Sequence, residues 1–240
     1  MPASPEQRMA VAAARMLAGH TTCFVGIGVP SIAAMLAKRL HERALNLIYE
    51  SGVIGADPSV PPLSTGSPSV AQGADMVGKM IDVFGALQAG RIDIALLSGA
   101  QVDREGNLNS TTIGPYEQPV RRLPGSGGAL DIALLARELL ILMPHEPRRL
   151  VERVDFITSP GRARMASTGG GSGASAIVTD KAKFLFGRNG VELAGYFEDV
   201  DPDALAAFGG TPLRAERMEI MPLPTAQELA TLMSFSGNEP

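Results

Sequence analysis

Thr21-Thr22-Cys23-Phe24-Val25-Gly26-Ile27-Gly28-Val29-Pro30, the helix-patterned run from Ser31 to about His41, and then Asn46-Leu47-Ile48-Tyr49-Glu50 together decide the fold. Thr21 to Val25 is a short extended run of the kind buried in a sheet. Two glycines turn the chain, and Ile32, Met35, Leu36 and Leu40 then recur on one face at helical spacing. Asn46 to Glu50 is extended again and is stopped by Ser51-Gly52, after which a Pro/Ser/Gly-rich loop runs to Ser69. Strand, glycine turn, helix, strand is a β-α-β unit, and such a unit implies parallel strands.

The same alternation continues outward. Pro5 to Ala18 reads as a helix capped by Ser4, with Met9, Ala12, Ala13, Met16 and Leu17 as its apolar stripe and Gly19 as its end. A helix over about Ala74 to Gln88 precedes the strand Ile92 to Leu97, which is mostly apolar. Asp103 to Asn107 is turn chemistry between two short extended pieces, and Gly125-Ser126-Gly127-Gly128 leads into a helix ending near Arg137. Leu139 to Met143 and Val154 to Thr158 read as further strands. The expected fold is α/β, one domain over residues 1–240, with an open, mostly parallel sheet and helices on both faces. Ligands then belong at the carboxyl ends of the strands. Gly169 to Gly173 reads as a flexible loop, since no Lys-Ser/Thr follows it to make a phosphate cradle. Ala176 to Thr179, Lys183 to Phe186 and Val191 to Tyr196 form a small antiparallel hairpin or edge, and helices over Pro202 to Phe208 and Thr225 to Phe235 close the chain.

Composition narrows the function classes. The net charge of -4 offers no basic footprint for nucleic acid or an anionic membrane. The longest apolar run, Ala129 to Met143, is interrupted by charges and is too short to cross a bilayer, and no stretch resembles a signal peptide. Cys23, the single cysteine, lies in an apolar run and reads as a core residue, which suits a reducing cytoplasm. A small-molecule ligand or a protein partner is the expectation.

Glu50 is the first candidate for chemistry, because it ends an apolar strand where a parallel sheet presents its ligands. The bland alternative is a solvated strand end or an ion-pair partner. Arg121-Arg122-Leu123-Pro124-Gly125-Ser126-Gly127-Gly128-Ala129 exposes backbone N–H groups before a helix, donors suited to an oxyanion, unless it is an ordinary glycine turn. Gly26-Ile27-Gly28 begins like a dinucleotide motif, but Ser31 occupies the third glycine position and Pro30 interrupts it. His145-Glu146 begins like a zinc-protease motif, yet Pro147 breaks the helix and Arg149 replaces the second histidine. Neither a metal cluster nor a Ser-His-Asp triad has support with three histidines and one cysteine.

Several segments taken in order carry a family likeness. They are Tyr49-Glu50-Ser51-Gly52, Ser98 to Asp103 with Gly106 to Thr111, Gly125 to Ala129, His145 to Arg149, and Val154 to Gly161. Over residues 5 to 200 the chain resembles the β (B) subunits of family I CoA-transferases, the glutaconate type in particular, whose residue after the glutamate matches Ser51. The resemblance implies a glutamate, matched by Glu50, that attacks an acyl-CoA thioester to give an acyl anhydride and then a glutamyl-CoA thioester. Gly127, Gly128, Ala129 and Ser51 match the oxyanion or substrate-binding positions; Gly26, Gly28 and Gln101 are assigned to a CoA or substrate loop. The resemblance also implies coenzyme A as co-substrate, no permanently bound cofactor and no metal, a carboxylic acid as second substrate, and an α subunit without which the chain is inactive. Alternatives remain: an acyl-CoA hydrolase or ring-opening hydrolase of the same family, or a ligand-binding subunit without chemistry.

Overall fold

A computed structural model describes residues 2–40, 44–162, 173–187 and 190–235. Helix α1 (Pro5–Met16) opens with a capping box: Ser4 Oγ accepts from Gln7 N at 3.2 Å, and Gln7 Oε1 accepts from Ser4 N at 2.9 Å. After it come β1 (Thr22–Val25), α2 (Val29–Leu40), β2 (Asn46–Tyr49), β3 (Val53–Ala56), β4 (Met76–Val77) and α3 (Met80–Gln88). The middle of the chain supplies β5 (Ile94–Leu97), β6 (Gln101–Val102), β7 (Leu108–Asn109), β8 (Thr112–Ile113), β9 (Arg121–Arg122), α4 (Ala129–Leu135) and β10 (Glu138–Leu142). The last part adds β11 (Ala174–Val178), β12 (Ala182–Gly187), β13 (Gly190–Phe197), β14 (Leu213–Met221) and α5 (Ala226–Ser234).

Among the described residues ten strands form one sheet in the order β14-β13-β12-β11-β10-β5-β1-β2-β3-β4. Its centre, β2-β1-β5-β10-β11, is wholly parallel, with Cys23 opposite Leu47 on one side and Ile94 on the other. The chain leaves β1 toward β2 and later returns to lay β5 on the opposite side of β1. Strand order therefore reverses there, and the carboxyl ends of these strands border a crevice. β11-β12-β13 is the antiparallel part expected from the sequence. Alternation along each strand divides the interior in two: Cys23, Val25, Leu47 and Tyr49 pack with α1 and α2, whereas Phe24 and Ile48 pack with α3 and α4. No helix among the described residues is long and apolar enough to cross a membrane.

Several elements depart from the sequence reading. The loop expected after Ser51-Gly52 contains β3, which folds back antiparallel on β2, and β4, which pairs with β3 where a helix was expected to begin. Helix α3 starts only at Met80, where Asp82 accepts from Lys79 N at 2.8 Å. Val154 to Thr158 is not a strand. Its amides go to side chains and a single carbonyl: Asp155 N donates to Gln101 Oε1 and Thr158 N to Leu108 O. The helix expected over Pro202 to Phe208 is only a 3-10 turn, Pro202–Ala204. Phe208 instead takes φ +55°, stacks edge-on against Phe184 at 5.4 Å and donates its N–H to Leu150 O, contacts that a continued helix would forfeit. β14 was not foreseen, because Arg214, Glu216, Arg217 and Glu219 give it the charged look of a surface segment, which suits its place at the sheet edge. Of the expected loop Gly169 to Gly173, only Gly173 lies within the described residues.

Candidate active site

Glu50 sits immediately after β2, in the tight connection Glu50-Ser51-Gly52 between the paired residues Tyr49 and Val53. Ile48 faces the α3/α4 layer, so Glu50, two residues on, projects to the same side. Gly52 closes the turn at φ +108°, and its N–H donates to Tyr49 O at 3.0 Å. A Cβ there would stand 2.6 Å from Gly78 O, because β4 crosses directly against the turn. Only glycine meets both demands, and the half-buried Glu50 is thereby held at the strand tip.

From the other side comes the glycine segment. Gly125 and Gly127 take φ of +98° and +48°, and Gly128 caps α4. A Cβ on Gly128 would lie 3.1 Å from both Cδ and Oε1 of Glu50 and 2.6 Å from Phe84 Cζ. The carboxylate therefore packs against the backbone of Gly128 with no room for a methyl group. Neither the Gly127 nor the Gly128 amide donates to another group among the described residues. Two N–H donors beside a carboxylate can serve charge that develops on an oxygen attached to it.

Glu50, Met80, Ile81, Phe84, Gly127, Gly128 and Asp131 line a cleft of about 480 Å³. Phe84 forms its firmest wall, since its ring meets the buried Phe24 edge-on at 5.8 Å. Met80 and Ile81 are exposed at its rim. The sequence reading missed this wall; its signal is that α3 carries Met80, Ile81 and Phe84 in addition to the buried Val83 and Leu87, more apolar face than core contact requires. Asp131 went unremarked too. The lining side chains are thus apolar or acidic. A larger depression of about 720 Å³ lies around the Asp103–Asn107 loop, but Asp103 and Asn107 there bond to each other, with Asn107 Nδ2 donating to Asp103 Oδ2 at 3.0 Å. That loop is turn structure.

The other singled-out residues divide. Ser51 Oγ is shielded from solvent and has no hydrogen-bond partner among the described residues, so it is a free donor beside Glu50. Ala129 is the first residue of α4, its N–H donated to Ser126 O at 2.9 Å. Gly26 lies at the reversal of strand order: its N–H donates to Leu96 O at 2.9 Å, and a Cβ would stand 2.7 Å from that oxygen. Gly28, at φ +84°, is exposed with open space around it. Gln101 is a different case. Both ends of its amide are engaged, Nε2 donating to Asp155 Oδ2 at 3.1 Å and Oε1 accepting from Asn109 Nδ2 at 2.8 Å. Asp155 Oδ2 also accepts from Gly114 N at 2.9 Å, so Gln101 ties the β6–β7 hairpin to the β8–β9 hairpin. Cys23 is fully buried, which pushes its thiol up out of the reactive range. His145 stacks on Phe184 and offers Nε2 to Ala206 O at 3.1 Å, a packed interior histidine. No cluster of potential metal ligands occurs among the described residues.

The Glu50 carboxylate thus stands at the carboxyl end of a parallel strand, beside glycine amides without partners among the described residues, and the chain belongs to the coenzyme A transferase family. The family profile, described as coenzyme A transferase, matches residues 6–184. Among curated relatives, the β (B) subunit of 3-oxoadipate CoA-transferase from Pseudomonas knackmussii is 47% identical, over 98% of this chain and 94% of its own. The crystal structure of glutaconate coenzyme A-transferase from Acidaminococcus fermentans superposes with a TM-score of 0.86 at 30% identity, covering 95% of this chain and 92% of that one. The decarboxylase AibA/AibB shares the fold, with a TM-score of 0.82 over 96% of this chain and 94% of that one; at 21% identity the likeness is one of fold alone.

Proposed function

We propose that Glu50 is the nucleophile of coenzyme A transfer and that this chain works in complex with a partner subunit of the α type. The observation that carries the reading is the contact between the Glu50 carboxylate and Gly128, beside two amides without partners among the described residues. Glu50 attacks the thioester carbonyl; a C–O bond forms, the C–S bond breaks, and CoA leaves as thiolate. The thiolate then attacks the glutamyl carbonyl of the anhydride, making a glutamyl-CoA thioester and releasing the first acid as carboxylate. A second carboxylate reverses the two steps and leaves as its CoA ester. Covalent catalysis of this kind divides one exchange into activated acyl steps. Each passes through a tetrahedral oxyanion, for which Gly127, Gly128 and Ser51 Oγ are the available donors.

Short dicarboxylic acids are the substrate class that the relatives' names support, 3-oxoadipate and glutaconate both being of that kind. The partner itself is supported by the name of the 3-oxoadipate relative, which is one subunit of a larger enzyme. A cytoplasmic setting fits the lone buried thiol of Cys23.

The test uses the chain co-expressed with its partner. After addition of acyl-CoA, borohydride or hydroxylamine traps the activated glutamyl group, and peptide mass spectrometry is expected to place the modification on Glu50. Glu50→Ala is expected to lower transfer by about a thousandfold or more, as loss of a covalent nucleophile does. Normal transfer by that variant would end the proposal.

A further inference from the structure

We infer that Ser110 is a positioning residue for this chemistry, its hydroxyl holding the glycine segment where the Gly127 and Gly128 amides meet a carbonyl attached to Glu50. The inference rests on the reading of Glu50 given above. Ser110 follows β7 and grips one residue twice: Gly125 N donates to Ser110 O, and Ser110 Oγ donates to Gly125 O, each at 2.9 Å. Just upstream, Leu123 N donates to Thr111 O at 2.9 Å. The next bond downstream is Ala129 N to Ser126 O, at the start of α4.

The grip matters because nothing else among the described residues holds Gly125. It takes φ +98°, and among the described residues no atom beyond its chain neighbours comes within 4 Å of where its Cβ would be. A glycine in open space has neither side-chain packing nor restricted backbone freedom to fix it. Position must be imposed from outside, and hydrogen bonds to Ser110 impose it. Gly127 is likewise a positive-φ glycine, so an uncontrolled rotation at Gly125 would pass to the amides two and three residues on.

Ser110 is itself anchored to the core. Its N–H donates to Thr158 Oγ1 at 2.9 Å, and Thr158 Oγ1 meets Thr111 Oγ1 at 2.7 Å. Thr158 is 7% exposed, and its N–H donates to Leu108 O, while Leu108 N donates to Ser159 O. Leu108 is packed within the α3/α4 layer. A continuous set of bonds therefore runs from that core through Thr158 and Ser110 to Gly125. Among the described residues Ser110 makes no hydrogen bond to Glu50 and is not one of the residues lining the cleft, so it acts through the glycine segment.

Amides that serve charge developing in the transition state affect turnover more than substrate affinity. In the complex with the partner subunit, Ser110→Ala is expected to lower kcat by about 10- to 100-fold, the range for misplacing donors by up to ~1 Å. KM for acyl-CoA should stay within about twofold, and the single-turnover rate of Glu50 modification should fall in step with kcat. Ser110→Thr, which keeps the hydroxyl, should recover most of the loss. If Ser110→Ala does not assemble, Thr158→Val removes the anchor instead and is expected to lower kcat in the same way. Modification of Glu50 at the wild-type rate in Ser110→Ala, or in Thr158→Val where that variant stands in, overturns the positioning role and leaves the nucleophile intact. Transfer by the wild-type complex with no modification at Glu50 overturns the nucleophile and the positioning role with it.

Discussion

One methyl group placed on Gly128 probes the geometry on which the function rests. Gly128 has φ -81° and ψ 0°, values that alanine adopts without strain, so the perturbation is purely one of space. The methyl would stand 2.6 Å from Phe84 Cζ and 3.1 Å from Glu50 Cδ and Oε1. Carbon atoms in ordinary contact are about 3.5–4.0 Å apart, so Phe84 must retreat by ~1 Å and the carboxylate by ~0.5 Å, or the glycine segment must move. Phe84 is backed by Phe24, which is 1% exposed, and this leaves Glu50 and the segment to absorb most of the displacement. A misplacement of about 1 Å between reacting groups costs on the order of a hundredfold in rate. That is about 2.7 kcal/mol of barrier at ~1.36 kcal/mol per tenfold. The assay compares kcat/KM for transfer with the melting temperature of the complex. Gly127→Ala is the control: at φ +48° it strains the backbone by about 1 kcal/mol. Its methyl would come no nearer to a residue beyond its chain neighbours than 4.0 Å from Glu50 Oε1, so any rate it loses reports the strained amide donor and not a displaced carboxylate. Gly128→Ala active to within about threefold would refute the packing of Glu50 on this segment.

Two further predictions concern the scaffold. Glu228 is 4% exposed and receives Arg15 in a fork, Nε to Oε1 at 2.9 Å and Nη2 to Oε2 at 2.8 Å, while its Oε2 also accepts from Thr225 N at 2.7 Å. Burial alone would raise its carboxyl, but the Arg15 and Thr225 bonds outweigh burial and hold it below the usual range. Glu228→Gln is expected to destabilise by about 1–3 kcal/mol in urea unfolding at pH 7. The difference should shrink as pH falls below about 4.5, because the folded-state carboxyl titrates lower than the unfolded one and its stabilisation is lost through that window. His145 shows the opposite group and the same pH direction: burial, with Lys181 nearby, lowers its pKa against the Ala206 hydrogen bond and Asp180. Below about pH 6.5 the unfolded chain takes up a proton that the folded imidazole resists, so stability should fall from pH 7 to 5, and the slope should flatten in His145→Gln.

The contents of the parallel centre were legible along the chain. Thr21 to Val25, the Gly26–Gly28 turn and the helix after it had to form a β-α-β unit because apolar period and glycine placement are local properties, encoded residue by residue. Glu50 could be singled out by the same means, since a charge at the end of an apolar strand is visible in one dimension. Short strands were not legible: β3 contains Gly55, β4 is two residues long, and β14 is highly charged, so each becomes a strand only because a neighbour's edge is there to pair with. The bonds that Gln101, assigned from the resemblance to a CoA or substrate loop, makes to Asp155 and Asn109 were not legible either, because those partners come from other segments.

The sequence by itself determined the α/β alternation, the glutamate at a strand tip and the glycine run before a helix, all consequences of local stereochemistry and periodicity. Only the tertiary structure decided that these two segments, more than seventy residues apart in the chain, meet within van der Waals reach, and that Phe84 walls their junction. Contact between distant segments depends on sheet order and on which face each side chain takes, and both are settled by packing the whole chain at once.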